Sequence, residues 1–197
     1  EHARELGNET PEAPVLFMKP ATAVVGDGGT VVIPSWSKEC HHEVELALLV
    51  GSGGSRIPAA SAFEHIAGYA VAIDFTLRDV QAKLKEKGLP WEVAKGFDTS
   101  CPLSQFLPAA DVPDPHGLTL RLSVNGEVRQ QGSTSLMVHR ITRIISHISS
   151  IFTLEPGDVI LTGTPSGVGP VQPGDSVEAA VAGLCSLTVT VLAALPK

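Results

Sequence analysis

Apolar residues along this chain come in short runs, and breakers separate them at close intervals. Val15-Leu16-Phe17-Met18-Lys19 and Thr30-Val31-Val32-Ile33 read as strands, with Gly26 to Gly29 turning between them. Glu43 to Val50 and Ala67 to Ile73 read as longer strands, joined by the Gly51 to Ser55 loop and a short helix near Ala59 to Glu64. Within the first of these, Leu46 to Val50 is continuously apolar and reads as a buried strand, while Asp74 falls at the end of the second. Leu118 to Val124 alternates apolar with polar positions and runs into Asn125-Gly126 before Val128 to Gln131 returns, which predicts a tight hairpin. Pro156-Gly157-Asp158 and Pro173-Gly174-Asp175 each open an apolar strand, so the carboxy-terminal part is expected to be all β.

Helical spacing is found in two places. Ile141, Ile144, Ile145, Ile148 and Phe152 fall on one face, predicting an amphipathic helix from Ile141 to Ile151 that covers a sheet. Thr76 is placed to cap a helix running through Leu77 to Lys87, with Gly88 and Pro90 as its stop, and Arg78 and Gln81 then share one face. The fold class predicted is mainly β, of the α+β kind, with a few short helices.

Length and composition fit this picture. The 197 residues, 43% hydrophobic, suffice for one sizeable core, and residues 1–197 are read as a single domain. A net charge of −7 without a long basic run argues against nucleic acid as partner, because phosphate neutralisation needs clustered Lys and Arg. No apolar run approaches the roughly 20 residues needed to cross a bilayer, and no signal-peptide pattern opens the chain, so it reads as soluble and not secreted. Cys40, Cys101 and Cys185 are widely spaced and odd in number, which points to a reducing compartment rather than a disulfide scaffold. The segment Glu1 to Glu5 looks helical and lacks an initiator Met, so the native start is expected to lie upstream.

The candidate chemistry centres on His41-His42-Glu43-Val44-Glu45. Two carboxylates two apart on a strand share a face, and with Asp74 they make an oxygen-only set suited to Mg²⁺ or Mn²⁺, with Ca²⁺ as a possible substitute. The alternative is a solvated strand edge or pairing with basic residues. Lys95, among apolar and small neighbours, could meet an anion beside such an ion or could snorkel at the surface. Arg78 and Gln81 follow Asp74 closely enough to reach the same ion, or else line a solvated helix face. Thr162-Gly163-Thr164-Pro165 lets backbone amides and hydroxyls approach a carboxylate, or is only a turn. Gly163, Gly167 and Gly169 do not form a dinucleotide fingerprint, so a nicotinamide cofactor is not expected. His2 and Glu5 stand one helical turn apart as an acid/base pair or as a frayed terminus. The remaining histidines show no ligand spacing, although His42 could support the adjacent Glu43.

Taken with Phe17-Met18-Lys19-Pro20, Gly68-Tyr69, Arg78-Asp79-Val80-Gln81, Lys87-Gly88-Leu89-Pro90-Trp91, Ala94-Lys95-Gly96-Phe97-Asp98, Val124-Asn125-Gly126-Glu127 and Leu161 to Gly169, these residues resemble the fumarylacetoacetate hydrolase family. The likeness is greatest to its single-domain acylpyruvase and oxaloacetate decarboxylase branch. The resemblance implies a mixed β-sandwich roll, a homodimer, and Mg²⁺ or Mn²⁺ held by Glu43, Glu45 and Asp74. It implies substrate contacts from Arg78, Gln81, Lys95 and Thr164, with His2 and Glu5 as a dyad on a lid helix. The Gly-Arg-Asn-Tyr-like strand that precedes that helix in the family is absent here, leaving the lid untethered. The implied activity is metal-dependent carbon–carbon cleavage in short 2-oxo acids: acylpyruvate hydrolysis, in which His2 with Glu5 activates water and Lys95 with Gln81 steadies the oxyanion, and decarboxylation of oxaloacetate. The alternatives are an isomerase or decarboxylase of hydroxymuconate-type diacids, or a metal and carboxylate-binding module without turnover. Members occur in mitochondria and cytosol, so the implied compartment is the mitochondrial matrix or the cytoplasm.

Overall fold

The computed structural model describes residues 13–195. In chain order it runs through β1 (Val24–Val25), β2 (Thr30–Ile33), β3 (Cys40–His42), β4 (Val44–Val50), β5 (Ile66–Ile73), β6 (Thr76–Leu77), α1 (Arg78–Glu86), α2 (Glu92–Lys95), β7 (Cys101–Pro102) and β8 (Leu107–Pro108). It continues through β9 (Thr119–Val124), β10 (Glu127–Ser133), α3 (Ile141–Ile151), β11 (Val159–Leu161), β12 (Gly169–Val171), β13 (Ser176–Val181) and β14 (Cys185–Ala193). The expected mainly β class with few short helices is what forms. Among the described residues no helix is long and apolar enough to cross a membrane, and Cys40, Cys101 and Cys185 are free.

Two sheets enclose the core. One has the order β10-β9-β13-β14-β2, antiparallel except where β14 meets β2; the other is the antiparallel β11-β4-β5-β8. Alternate residues of β4 and β5 (Val44, Leu46, Leu48, Val71, Ile73) share one contiguous buried cluster with Leu120, Leu122, Val177, Leu187 and Val189 of the first sheet. The buried apolar residues on the other face of β4 and β5 are the small Ala47, Ala70 and Ala72, packed with Leu103, Phe106 and Leu161. Smaller sheets, β12-β3-β6 and β1-β7, complete the roll. The hairpin predicted at Asn125-Gly126 joins β9 to β10, with φ of 52° and 81° at the two residues, the positive values a type I′ turn requires.

Three expectations need correction. Val15 to Lys19 is not a strand. Pro14 and Pro20 remove backbone donors at either end, and Lys19 anchors the segment by its side chain instead, reaching the carbonyls of Lys95 and Ser100. Thr76 does not cap α1: Leu77 holds the N-cap position, Thr76 lies in β6, and its hydroxyl is turned inward to Asp74 O at 3.3 Å. The helix α3 spans the predicted residues and buries Ile141, Ile144 and Ile145, each worth about 1.5–3 kcal/mol. Its main partner, however, is the 3-10 segment Ala59–His65 rather than a sheet. The chain at Arg56 and Ile57 folds onto Ser149, donating to its carbonyl at 2.6 Å and its hydroxyl at 2.9 Å, and Phe152 falls past the helix end, 44% exposed.

Candidate active site

Strand register brings the three carboxylates together. β4 and β5 pair with Val44 opposite Ile73 and Glu45 opposite Ala72. One step further, Asp74 N donates to Glu43 O at 2.8 Å, so Glu43 and Asp74 are cross-strand neighbours. Alternation of side chains then sets Glu43, Glu45 and Asp74 on the alanine-lined face, where small neighbours leave room. One oxygen from each lies within 4.8 Å of the others, and the three residues are 5%, 5% and 0% exposed.

Three cations surround this cluster. Lys95, at the end of α2 and 2% exposed, donates to Asp74 Oδ2 at 2.5 Å, Thr76 Oγ1 at 2.6 Å and Glu43 Oε2 at 3.0 Å. Arg78, the first residue of α1, donates from Nη2 to Glu43 Oε1 at 2.5 Å, from Nη1 to Gln81 Oε1 at 2.7 Å and from Nε to His41 Nδ1 at 3.4 Å. Lys19 Nζ lies 2.7 Å from Asp74 Oδ1 and donates to Ser100 Oγ at 3.1 Å. Glu45 differs from its neighbours: among the described residues no cation pairs with it, and its partner is the amide of Gly163.

The electrostatics follow from these contacts. Burial pushes the Glu43 carboxyl up, but attraction from Lys95 and Arg78 and their hydrogen bonds outweighs it and brings it down to about 2. Burial pushes Glu45 up as well, the charges of Asp74 and Glu43 add to the effect, and the result is about 8. Burial alone would lower Lys95, yet Asp74 and Glu43 hold it above the ordinary lysine range, so its ammonium is a permanent donor rather than a base.

A divalent cation suits this arrangement. The donor set is all oxygen, as hard cations require, and its three carboxylates are buried, with Asp74 Oδ1 in an ion pair with Lys19 at 2.7 Å. In a buried site three carboxylates this close repel one another, and a divalent cation held among them would offset that repulsion.

The fumarylacetoacetate (FAA) hydrolase C-terminal family matches residues 1–192. The chain belongs to this family. Mitochondrial oxaloacetate tautomerase FAHD1 of Mus musculus is 50% identical over 187 residues, covering 95% of this chain and 85% of its own. The crystal structure of fumarylpyruvate hydrolase from Pseudomonas aeruginosa in complex with Mn²⁺ and pyruvate superposes with a TM-score of 0.94 at 39% identity, covering 98% of this chain and 85% of its own. The 5-carboxymethyl-2-hydroxymuconate delta-isomerase of Mycobacterium smegmatis superposes with a TM-score of 0.88 at 43% identity, covering 99% of this chain and 75% of its own. These relatives are enzymes by name, and the Mn²⁺ of one of them and the buried triad here together suggest a divalent metal.

Family members and this chain thus share a frame in which the predicted residues can be located. Glu43, Glu45, Asp74, Arg78, Gln81 and Lys95 converge. Thr164 lies next to Gly163, whose amide holds Glu45, so it stands at the rim of the cluster. His2 and Glu5 lie outside the described residues. Lys95 is no snorkelling lysine, because the carboxylates draw its ammonium inward. His42, read as a support for Glu43, instead meets Gln130 Oε1 at 2.8 Å; His41, through Arg78, is the histidine connected to Glu43.

Sequence reasoning assigned no role to Lys19 or Gln130. The signal for Lys19 was Phe17-Met18-Lys19-Pro20 itself: Phe17 brings its ring to 4.9 Å from Lys95 Nζ and to 6.3 Å from the Trp91 ring, joining two of the motifs into one wall. Gln130 carried no signal, since its hairpin position predicts exposure.

Proposed function

We propose that this protein is a divalent-metal-dependent enzyme acting on short 2-oxo acids through their enol forms. Glu43, Glu45 and Asp74 would hold Mg²⁺ or Mn²⁺, and residues 1–197 would act as one catalytic domain in a homodimer. The observation that carries this reading is the buried carboxylate triad, with one oxygen from each residue within 4.8 Å of the others, ringed by cations. When bound, the ion would supply Lewis acidity toward a 2-oxo acid. Arg78 adds fixed positive charge for the substrate carboxylate. Lys95, kept protonated by its neighbours, stabilises negative charge that develops on the keto oxygen. Gln81 gives its Oε1 to Arg78, which leaves the carboxamide N–H groups as donors to an oxyanion. Thr164 donates its hydroxyl to the carboxylate. The proton moves to and from carbon at the His2 imidazole, oriented by Glu5.

Enol–keto tautomerisation of oxaloacetate is the first reaction to test, because the proteins of that name are about half identical to this chain. Acylpyruvate hydrolysis is the second, favoured by the likeness to fumarylpyruvate hydrolase, and decarboxylation of oxaloacetate would share the same enol. A mitochondrial address is proposed on the naming of the same relatives. The test is loss of enol absorbance of oxaloacetate and of acetylpyruvate absorbance, each with Mg²⁺ or Mn²⁺ and with excess chelator. Metal-dependent turnover of either supports the reading. Turnover that persists in chelator, or silence on both substrates despite bound metal, overturns it.

A further inference from the structure

Gln130 lies on β10, on the five-stranded sheet, yet it is 1% exposed and every polar atom of its side chain is engaged. Its Oε1 accepts from Val44 N at 3.1 Å and lies 2.8 Å from His42 Nδ1. Its Nε2 donates to Pro165 O at 2.9 Å and to Thr164 Oγ1 at 2.8 Å. The two backbone partners leave one way round for the carboxamide. An amide N–H only donates, so Val44 must face the oxygen; a carbonyl only accepts, so Pro165 must face the nitrogen. Two consequences follow. His42 must carry its proton on Nδ1, since it faces an acceptor. Thr164 Oγ1 must accept from Gln130, so its own hydroxyl hydrogen is free to donate, and among the described residues no protein group takes it.

The loop carrying Thr164 is also pressed onto β10. A Cβ on Gly132 would stand 2.5 Å from Pro165 Cβ, and one on Gly167 would stand 2.3 Å from Arg129 O, with Gly167 at φ +93°. On the other side, Gly163 N holds Glu45, and Thr162 Oγ1 donates to Leu46 O at 2.9 Å. Gln130 therefore bridges the strand that carries the carboxylates and the loop that carries Thr164.

We infer that Gln130 is a positioning residue that fixes Thr164 as a hydrogen-bond donor to the carboxylate of a 2-oxo acid. This rests on the reading of Thr164 as a substrate contact given under the proposed function. Gln130 touches no substrate; it sets the direction in which the Thr164 hydroxyl points, and so acts on substrate affinity rather than on the chemical step.

The test has two arms. In ligand-free protein, ¹⁵N NMR of the histidine rings reads the chain directly: His42 is expected as the Nδ1–H tautomer, and the Nε2–H tautomer would overturn the orientation. In the second arm, KM for oxaloacetate or acetylpyruvate and the calorimetric affinity for oxalate in Mg²⁺ are measured for Gln130→Met, Thr164→Val and the double variant. Gln130→Met is expected to raise KM by about 10-fold, the size of one hydrogen bond to a charged group, with kcat little changed. Thr164→Val should cost the same, and the double variant no more than either alone. Multiplying effects, or an unchanged KM in Gln130→Met, would overturn the proposal. Gln130→Glu is the second variant should the methionine not fold: it keeps the acceptor for Val44 and His42 but draws the Thr164 hydroxyl toward itself. The same rise in KM, not enlarged by adding Thr164→Val, is expected. If the unaltered protein neither binds oxalate nor turns over either substrate, the proposed function fails, and the His42 tautomer still decides the Gln130 orientation.

Discussion

Lys95 is placed where burial and charge oppose each other. Its ammonium is nearly inaccessible, and it is tolerated because Glu43, Asp74 and Thr76 accept all three of its hydrogen bonds. Lys95→Met would leave two buried carboxylates with one fewer cation. The ion-free protein should lose about 3–5 kcal/mol in chemical denaturation, with saturating Mg²⁺ restoring part of it. An equal loss with and without Mg²⁺ would contradict the shared site. Glu45 gives a pH dependence. Its folded value of about 8 lies above the ordinary 4.5, so its contribution to stability is full below that lower value and is lost as pH rises through about 8. Melting of the chelator-treated protein should therefore fall across that window, and Glu45→Gln should flatten the slope. An incoming ion must displace the same proton, so metal affinity should rise with pH toward about 8, with proton uptake by buffer seen in calorimetry.

At the scale of elements, the loop from Thr162 to Val168 depends on its approach to β10. Gly167→Ala combines a positive φ with a Cβ directed at Arg129 O, so it should cost about 1–3 kcal/mol and also weaken oxalate binding. Gly126→Ala in the β9–β10 turn also has a positive φ, of 81°, but meets nothing within 4 Å. It should lower stability by about 1 kcal/mol and leave KM unchanged. Denaturant titration paired with KM separates the two. The same elements show what pattern reading could reach. The Asn125-Gly126 turn and the α3 limits were legible because their residues obey local rules, positive φ and helical spacing. Val15 to Lys19 misled because apolar content alone mimics a strand, while its backbone joins no sheet among the described residues.

For the molecule as a whole, ligand linkage offers the broadest check. An ion that binds only the folded state at 100 times its dissociation constant adds about 2.7 kcal/mol, so Mg²⁺ or Mn²⁺, and further oxalate, should raise the melting temperature and chelator should lower it. Unchanged melting would argue that Glu43, Glu45 and Asp74 are neutralised by Lys19, Arg78 and Lys95 alone. The sequence by itself determined the mainly β class, the acidic pair at Glu43 and Glu45, and the membership of the fumarylacetoacetate hydrolase family, because strand alternation and short motifs are written in consecutive residues. Tertiary structure alone decided that Asp74 stands opposite Glu43, that Lys19 enters the site, that Thr76 turns inward instead of capping α1, and that Gln130 links two sheets. Each of these joins residues far apart in the chain, and their contacts exist only once strand register has set which side chains share a face.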